Sequence, residues 1–279
     1  MFVAIKFAYF FNDQLSGFQR QPDVPTIEST IENALKKTSI NYISDPPSLQ
    51  YAGRTDKGVH AWDQTIRIEI NIDKIPNRFL FRINANLPLT IRAWAYAIVN
   101  GEFSPKTTAI SRTYSYYYFH DYNKDLDIEI MKNGASLMIG SHNFENFVKK
   151  DKKIENFVRT IYSINIERLS TYPGFHFKIT GKSFLWQQVR RMIGHLIDLG
   201  TNQVSIETTK SLLDMTIKQK PIPLPPGGLI LENIQYPEEI KWTIEESILL
   251  KIQQYGRKHL SELIQKILIY QYLGSINIE

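Results

Sequence analysis

The sequence predicts an α+β fold, and three observations carry that prediction. A strand-like run at residues 2–10 gives way to a helix that Pro25-Thr26 opens and that sets Ile27, Ile31 and Leu35 on one face. The same alternation returns in the second half, where runs at 160–169 and 175–181 precede Trp186 to Leu199. That last stretch carries Trp186, Val189, Ile193, Leu196 and Ile197 at helical spacing. The repeated order implies two similar α+β halves.

In chain order, the first strand and helix are joined by a polar loop through Phe18-Gln19-Arg20-Gln21. Thr65-Ile66-Arg67-Ile68-Glu69-Ile70 alternates and predicts a half-buried strand over 64–70. A helix is expected around 77–86, then apolar runs at 91–99 and 112–119, and a helix around 128–139 ahead of His142-Asn143-Phe144. Residues 221–228, Pro-Ile-Pro-Leu-Pro-Pro-Gly-Gly, lack the amide donors of a regular element and predict an ordered loop before a strand at 229–235. From Glu238 onward two amphipathic helices are expected, with Ile244, Ile248, Leu249, Ile252, Leu260, Leu263, Ile264, Ile267 and Leu268 packing on the core or on another subunit.

The 279 residues and 43% hydrophobic content suit one large or two medium globular domains and set disorder aside. A net charge of +5 permits a polyanionic partner. The absence of cysteine removes disulfides, thiolate nucleophiles and Cys-based zinc sites, and it fits a reducing cytoplasm. The N-terminus reads as a strand and not as a targeting leader. No apolar run approaches the ~18 residues of a membrane span, so no membrane association is expected. The six histidines are scattered without a metal-ligand spacing, and there is no dinucleotide or Walker glycine loop, so neither metal nor cofactor is expected.

Arg54-Thr55-Asp56-Lys57-Gly58-Val59-His60-Ala61 sets one carboxylate in a glycine-bearing turn between cations. Such a turn is an ordinary entry into a strand, or it presents an ionised carboxylate as nucleophile or base. Arg112-Thr113-Tyr114-Ser115-Tyr116-Tyr117-Tyr118-Phe119 places Tyr114, Tyr116 and Tyr118 on one strand face with Arg112. That face either packs on a helix or stacks on a base. Arg190 and Arg191 interrupt an otherwise apolar helix, either as solvated cations or with one of them seeking a partner. Asp56 is an obvious candidate, since an arginine within ~4–6 Å keeps a carboxylate ionised. The run Lys149-Lys150-Asp151-Lys152-Lys153 is a solvated loop or a phosphate contact.

These segments occur in the order of a known family. The chain resembles the TruA-type tRNA pseudouridine synthases from residue 1 to about 236, most like their archaeal members. Arg54-Thr55-Asp56-x-Gly58-Val59-His60-Ala61 is similar to the family's signature loop. Thr26-Ile27-Glu28 with Phe18-Gln19-Arg20-Gln21 resembles its N-terminal segment, and Phe103 through Arg112-x-Tyr114-x-Tyr116 the strand bearing its active-site tyrosine. His142-Asn143-Phe144 through Arg159-Thr160-Ile161, Phe184 through Gly194, and Pro225-Pro226-Gly227-Gly228-Leu229 resemble later blocks.

The resemblance implies two similar RRM-like α+β domains, residues 1–104 and 105–236, whose antiparallel and mixed sheets join into one, with the active site in the cleft between them. Residues 237–279 would form a helical extension on the core. It implies a cytoplasmic, homodimeric enzyme that isomerises uridine to pseudouridine in the tRNA anticodon arm, at positions 38, 39 or 40, without metal or cofactor. By the same carry-over Asp56 in loop 52–61 is the nucleophile, Tyr114 stacks on the target base and Arg190 holds Asp56 ionised. Arg54 helps displace or replace the flipped nucleotide, and Arg20, Lys57, His60, Arg112 and Arg191 contact RNA. The chain departs from the bacterial pattern in the short segment 119–127, in Lys106 where arginine is common, and in the helices after Glu238. Two other classes remain: a silent RNA-binding module, which would not need Asp56, and a carboxylate-dependent glycosidase or nuclease, which would want a second acid.

Overall fold

A computed structural model describes residues 1–10, 14–38, 40–44, 46–120, 126–149, 154–170 and 173–258. Among the described residues the fold is mixed α+β, built on a ten-stranded sheet. The strands are β1 (Phe2–Tyr9), β2 (Gln50–Tyr51), β3 (His60–Glu69), β4 (Ile91–Val99), β5 (Ser111–Phe119), β6 (Gly140–Asn143), β7 (Val158–Arg168), β8 (Gly174–Gly181), β9 (Leu229–Gln235) and β10 (Thr243–Ile244). Their order across the sheet is β10-β4-β1-β3-β9-β5-β8-β7-β6, with β2 paired to β3. All neighbours are antiparallel except β3 and β9, which meet in parallel over His60↔Ile230 and Ala61↔Leu231. The five named helices are α1 (Ile27–Lys36), α2 (Phe79–Asn84), α3 (Ile128–Met138), α4 (Gln188–Gly200) and α5 (Ile206–Leu213), and residues 246–258 are helical as well.

Local chemistry explains the starts of α1 and α3. Thr26 caps α1 in a reciprocal box with Ser29, and Ile27, Ile31 and Leu35 are buried. Asp127 caps α3 by accepting from the amides of Glu129 and Ile130. The buried residues form two clusters. One gathers Val3, Ile5 and Phe7 of β1 with Ile31 and Leu35 of α1 and Ile66 and Ile68 of β3. The other gathers Met131 and Met138 of α3, Phe175 and Phe177 of β8, and Met192, Ile193 and Leu196 of α4. Val59 belongs to the second cluster although the strand it introduces belongs to the first, and Tyr114 packs against both. The Asp56 turn therefore lies where the clusters meet.

Several expectations are corrected. β3 begins at His60 and not at 64, because Ala61 pairs with Tyr9 on one side and Leu231 on the other. α4 begins at Gln188, so Trp186 lies outside the helix and 41% exposed instead of packing from within it. Ile244 is exposed in β10, which pairs with Tyr96 and Ala95 on the outer edge of β4 instead of belonging to a helix. Ile248 and Ile252 do pack on the first cluster from the helix that follows. Leu260, Leu263, Ile264, Ile267 and Leu268, most of the 119–127 segment and positions 150–153 lie outside the described residues.

Candidate active site

Loop 52–59 is anchored at both ends and between. The Ala52 carbonyl accepts from Arg112 Nη2 at 3.1 Å, and the Gly53 carbonyl from the side-chain amide of fully buried Gln64 at 2.7 Å. Thr55 Oγ1 and the Tyr9 hydroxyl share a buried hydrogen bond of 2.7 Å, while the Thr55 carbonyl accepts from the Phe18 amide at 3.1 Å. The turn closes with Val59 N donating to Asp56 O at 3.1 Å. Gly58 sits at φ +90°, and a Cβ there would lie 2.7 Å from Pro226 Cγ, so both backbone conformation and close approach require glycine.

The proline-rich loop that presses on Gly58 is itself tied down. Arg190 Nη1 donates to Leu224 O, Arg191 Nη1 to Pro221 O and the Tyr116 hydroxyl to Pro225 O. Gly194 allows this contact, since a Cβ on it would lie 2.2 Å from the Ile222 carbonyl oxygen. Two side chains from the start of α4 and the turn ahead of it converge on one carboxylate across the fold. Arg190 Nη2 donates to Asp56 Oδ2 at 2.5 Å, and Trp186 Nε1 donates to Asp56 Oδ1 at 2.7 Å. The Arg190 side chain is 8% exposed and that of Asp56 26%, so the cation is enclosed while the carboxylate remains reachable.

Tyr114 completes the cluster. Its ring stands edge-on to Phe184 at 5.2 Å, and it is partly exposed. Burial pushes its phenol up to about 12, opposed by Arg112 and reinforced by Asp56, so the group is neutral near pH 7. Tyr116 and Tyr118 do not share its situation. Tyr116 is buried with its hydroxyl on Pro225, and Tyr118 stacks on His120. Of the tyrosine stripe, Tyr114 is the ring set beside the carboxylate. A reachable, doubly hydrogen-bonded carboxylate beside a neutral aromatic phenol suits nucleophilic attack on a planar heterocycle's nucleoside.

A family model described as tRNA pseudouridine synthase matches residues 135–237. The tRNA pseudouridine synthase A of Archaeoglobus fulgidus is 37% identical over 271 residues, 97% of this chain and 93% of the relative. The synthase of the same name from Methanosarcina acetivorans is 34% identical, covering 93% and 94%, and that of Thermosipho africanus 34%, covering 84% and 98%. The chain belongs to the tRNA pseudouridine synthase A family. It is therefore an isomerase of that family.

Around this candidate site of the synthase the other predicted residues divide. Arg54 and Lys57 are exposed on the loop, Arg54 with its Nε 3.2 Å from the Tyr51 hydroxyl. His60 is half-buried at the start of β3, where burial lowers its pKa against a hydrogen bond with the Gly227 backbone. Arg20 pairs with Glu32 of α1 while remaining half exposed. Arg191 is committed to Pro221 O and Gln187 Oε1. Arg112 is buried, and its guanidinium donates to the carbonyls of Lys182, Ala52 and Lys106, which makes it a clamp on the loop. Among the described residues, no group of three or more His, Asp or Glu could hold a metal ion, and no helix is long and apolar enough to cross a membrane. Sequence reasoning misses the roles of Trp186, Tyr9 and Gln64. Trp186 fits the helical spacing and so reads as a core residue, whereas Tyr9 and Gln64 carry no local mark at all.

Proposed function

We propose that the chain isomerises uridine to pseudouridine in the anticodon stem-loop of tRNA, at one or more of positions 38, 39 and 40, with Asp56 as the nucleophile. The observation that carries this reading is the Arg190–Asp56 pair at 2.5 Å beside Tyr114. In the reaction the bond from C1′ to N1 breaks, the base turns, and a bond from C1′ to C5 forms. C5 releases a proton and N1 gains one, so the change is an isomerisation with no redox partner. The carboxylate assists by adding to the sugar or to the base, and either route needs it ionised and oriented. Tyr114 stacks on the extruded base, a contact worth on the order of 1–3 kcal/mol against an unstacking cost of a few kcal/mol. Arg54 fills the gap left in the stack, and Lys57, His60, Arg20 and Arg191 contact RNA.

On this reading the two α+β halves, 1–104 and 105–236, are domains that meet along β3 and β9, with the cleft over their junction and 237–279 as an extension. The protein acts as a homodimer in the cytoplasm. The test is conversion of a tRNA transcript by the purified protein without added metal, mapped by carbodiimide adduct and primer extension. Conversion in the anticodon arm that disappears in Asp56→Asn supports the assignment. Full activity in Asp56→Asn sinks it, and product at another position sinks the choice of site.

A further inference from the structure

Asp56 has a hydrogen-bond donor on each of its two oxygens, and the second one has no assigned part in the reaction. Arg190 holds Oδ2 and is itself fixed to Leu224 O at 2.9 Å. Trp186 holds Oδ1 at 2.7 Å from the turn that precedes α4. The backbone around that indole is anchored. The Trp186 carbonyl accepts from the Lys149 amide at 3.0 Å, Gln187 adopts a left-handed conformation at φ 65°, and fully buried Gln188 accepts from the Leu185 amide through Oε1 at 2.8 Å. The Lys149 ammonium lies 4.3 Å from the centre of the indole ring, a cation–π contact that steadies it from outside.

A carboxylate bound through one oxygen turns about its Cβ–Cγ bond, so its lone pairs sweep an arc. Donors on both oxygens, one tied to Leu224 and the other carried by the anchored turn ahead of α4, fix the plane of the group. Indole nitrogen is a donor only and neither loses nor gains a proton near neutral pH, which excludes Trp186 as acid or base. We propose that Trp186 is a positioning residue for the Asp56 carboxylate, setting with Arg190 the orientation from which it attacks the nucleoside. The inference rests on Asp56 being the reacting group. It gives a partly exposed tryptophan beside an RNA site a role other than stacking on a base, and the two roles separate kinetically. Orientation acts on the chemical step, whereas stacking acts on binding.

The experiment compares Trp186→Phe, which keeps a flat ring and removes the donor, with Trp186→His, which returns an N–H, using a tRNA transcript and the full chain. Trp186→Phe is expected to lower kcat roughly 10- to 100-fold, the scale of one charge-assisted hydrogen bond, with KM for tRNA within about threefold of the parent. Trp186→His is expected to recover most of kcat. Because the side chain is partly exposed, thermal midpoints should stay close to the parent, and they separate misfolding from lost positioning. The proposal is overturned if Trp186→Phe keeps full kcat, if its loss falls on KM, or if folded Trp186→His fails to recover kcat. Asp56→Asn run alongside distinguishes the failures: activity there removes the underlying reading, while its loss beside a fully active Trp186→Phe removes only this inference.

Discussion

Arg190 Nη2 lies 2.5 Å from Asp56 Oδ2 although 134 residues separate them in the chain. The contact joins the turn ahead of β3 to the first turn of α4, and Arg190 reaches it from a site that leaves its own side chain 8% exposed. Such a cation holds a carboxylate through charge and geometry together. Arg190→Met preserves the stem and removes both, and kcat on a tRNA transcript should fall by roughly two orders of magnitude or more. Arg190→Lys keeps the charge but not the fork that spans Asp56 and Leu224, so an intermediate loss is expected. Single-turnover rates of pseudouridine formation are the measurement, and equal rates for the lysine and methionine variants would show that charge has no part.

Gly58 and Pro226 meet where an added Cβ would come within 2.7 Å of the proline ring, at a φ of +90° that side chains disfavour. Gly58→Ala should therefore lose about 1–2 kcal/mol to backbone conformation alone, a drop of roughly 2–4 °C in Tm for a chain of this size. Relief of the clash moves Asp56 relative to Arg190, so activity measured well below Tm should fall as well. Thermal melts and rates on the same preparation separate the two effects.

The parts of the site legible in sequence are those that local pattern specifies. Asp56 stands out because Arg54, Lys57 and Gly58 crowd it, and Arg190 because it breaks an apolar helix. Ile27, Ile31 and Leu35 mark the buried face of α1 by spacing alone. The unread parts depend on partners distant in the chain. Nothing near Arg112 says that three carbonyls surround it, because they come from residues 52, 106 and 182. Nothing near Thr243 says that β4 has an unpaired edge to receive it. Trp186 misleads for a physical reason: left-handed Gln187 starts the helix later than the apolar spacing suggests.

Arg112 and Arg54 give opposite expectations from the same residue type. Arg112 is buried and committed to backbone, so Arg112→Gln leaves carbonyls without donors at about 1–3 kcal/mol each and lowers the urea midpoint. Its tRNA binding, measured below that midpoint, should keep the salt dependence of the parent. Arg54→Gln and Lys57→Gln alter exposed cations, so stability should stay within about 0.5 kcal/mol while the slope of log Kd against log salt falls by about 1 for each phosphate that the removed cation neutralised. Binding curves at several salt concentrations decide the matter, and a slope change in Arg112→Gln would assign that residue an RNA contact besides its clamp.

His195 links the second cluster to pH. It is 2% exposed, its Nε2 lies 2.9 Å from Thr209 Oγ1, and Phe147 stands edge-on to its ring. Burial lowers its pKa from 6.5 to about 4, so the folded protein holds a neutral imidazole over a range in which the unfolded chain is protonated. The unfolded state then binds more protons, and stability rises with pH across that window. The contribution is fully present above pH 6.5 and is lost as pH falls towards 4, for a total of about 3 kcal/mol. His195→Gln keeps a polar group for Thr209 but does not titrate. Urea midpoints at pH 7, 5.5 and 4 should therefore fall more steeply for the parent than for the variant, and parallel declines would assign the acid sensitivity to other groups.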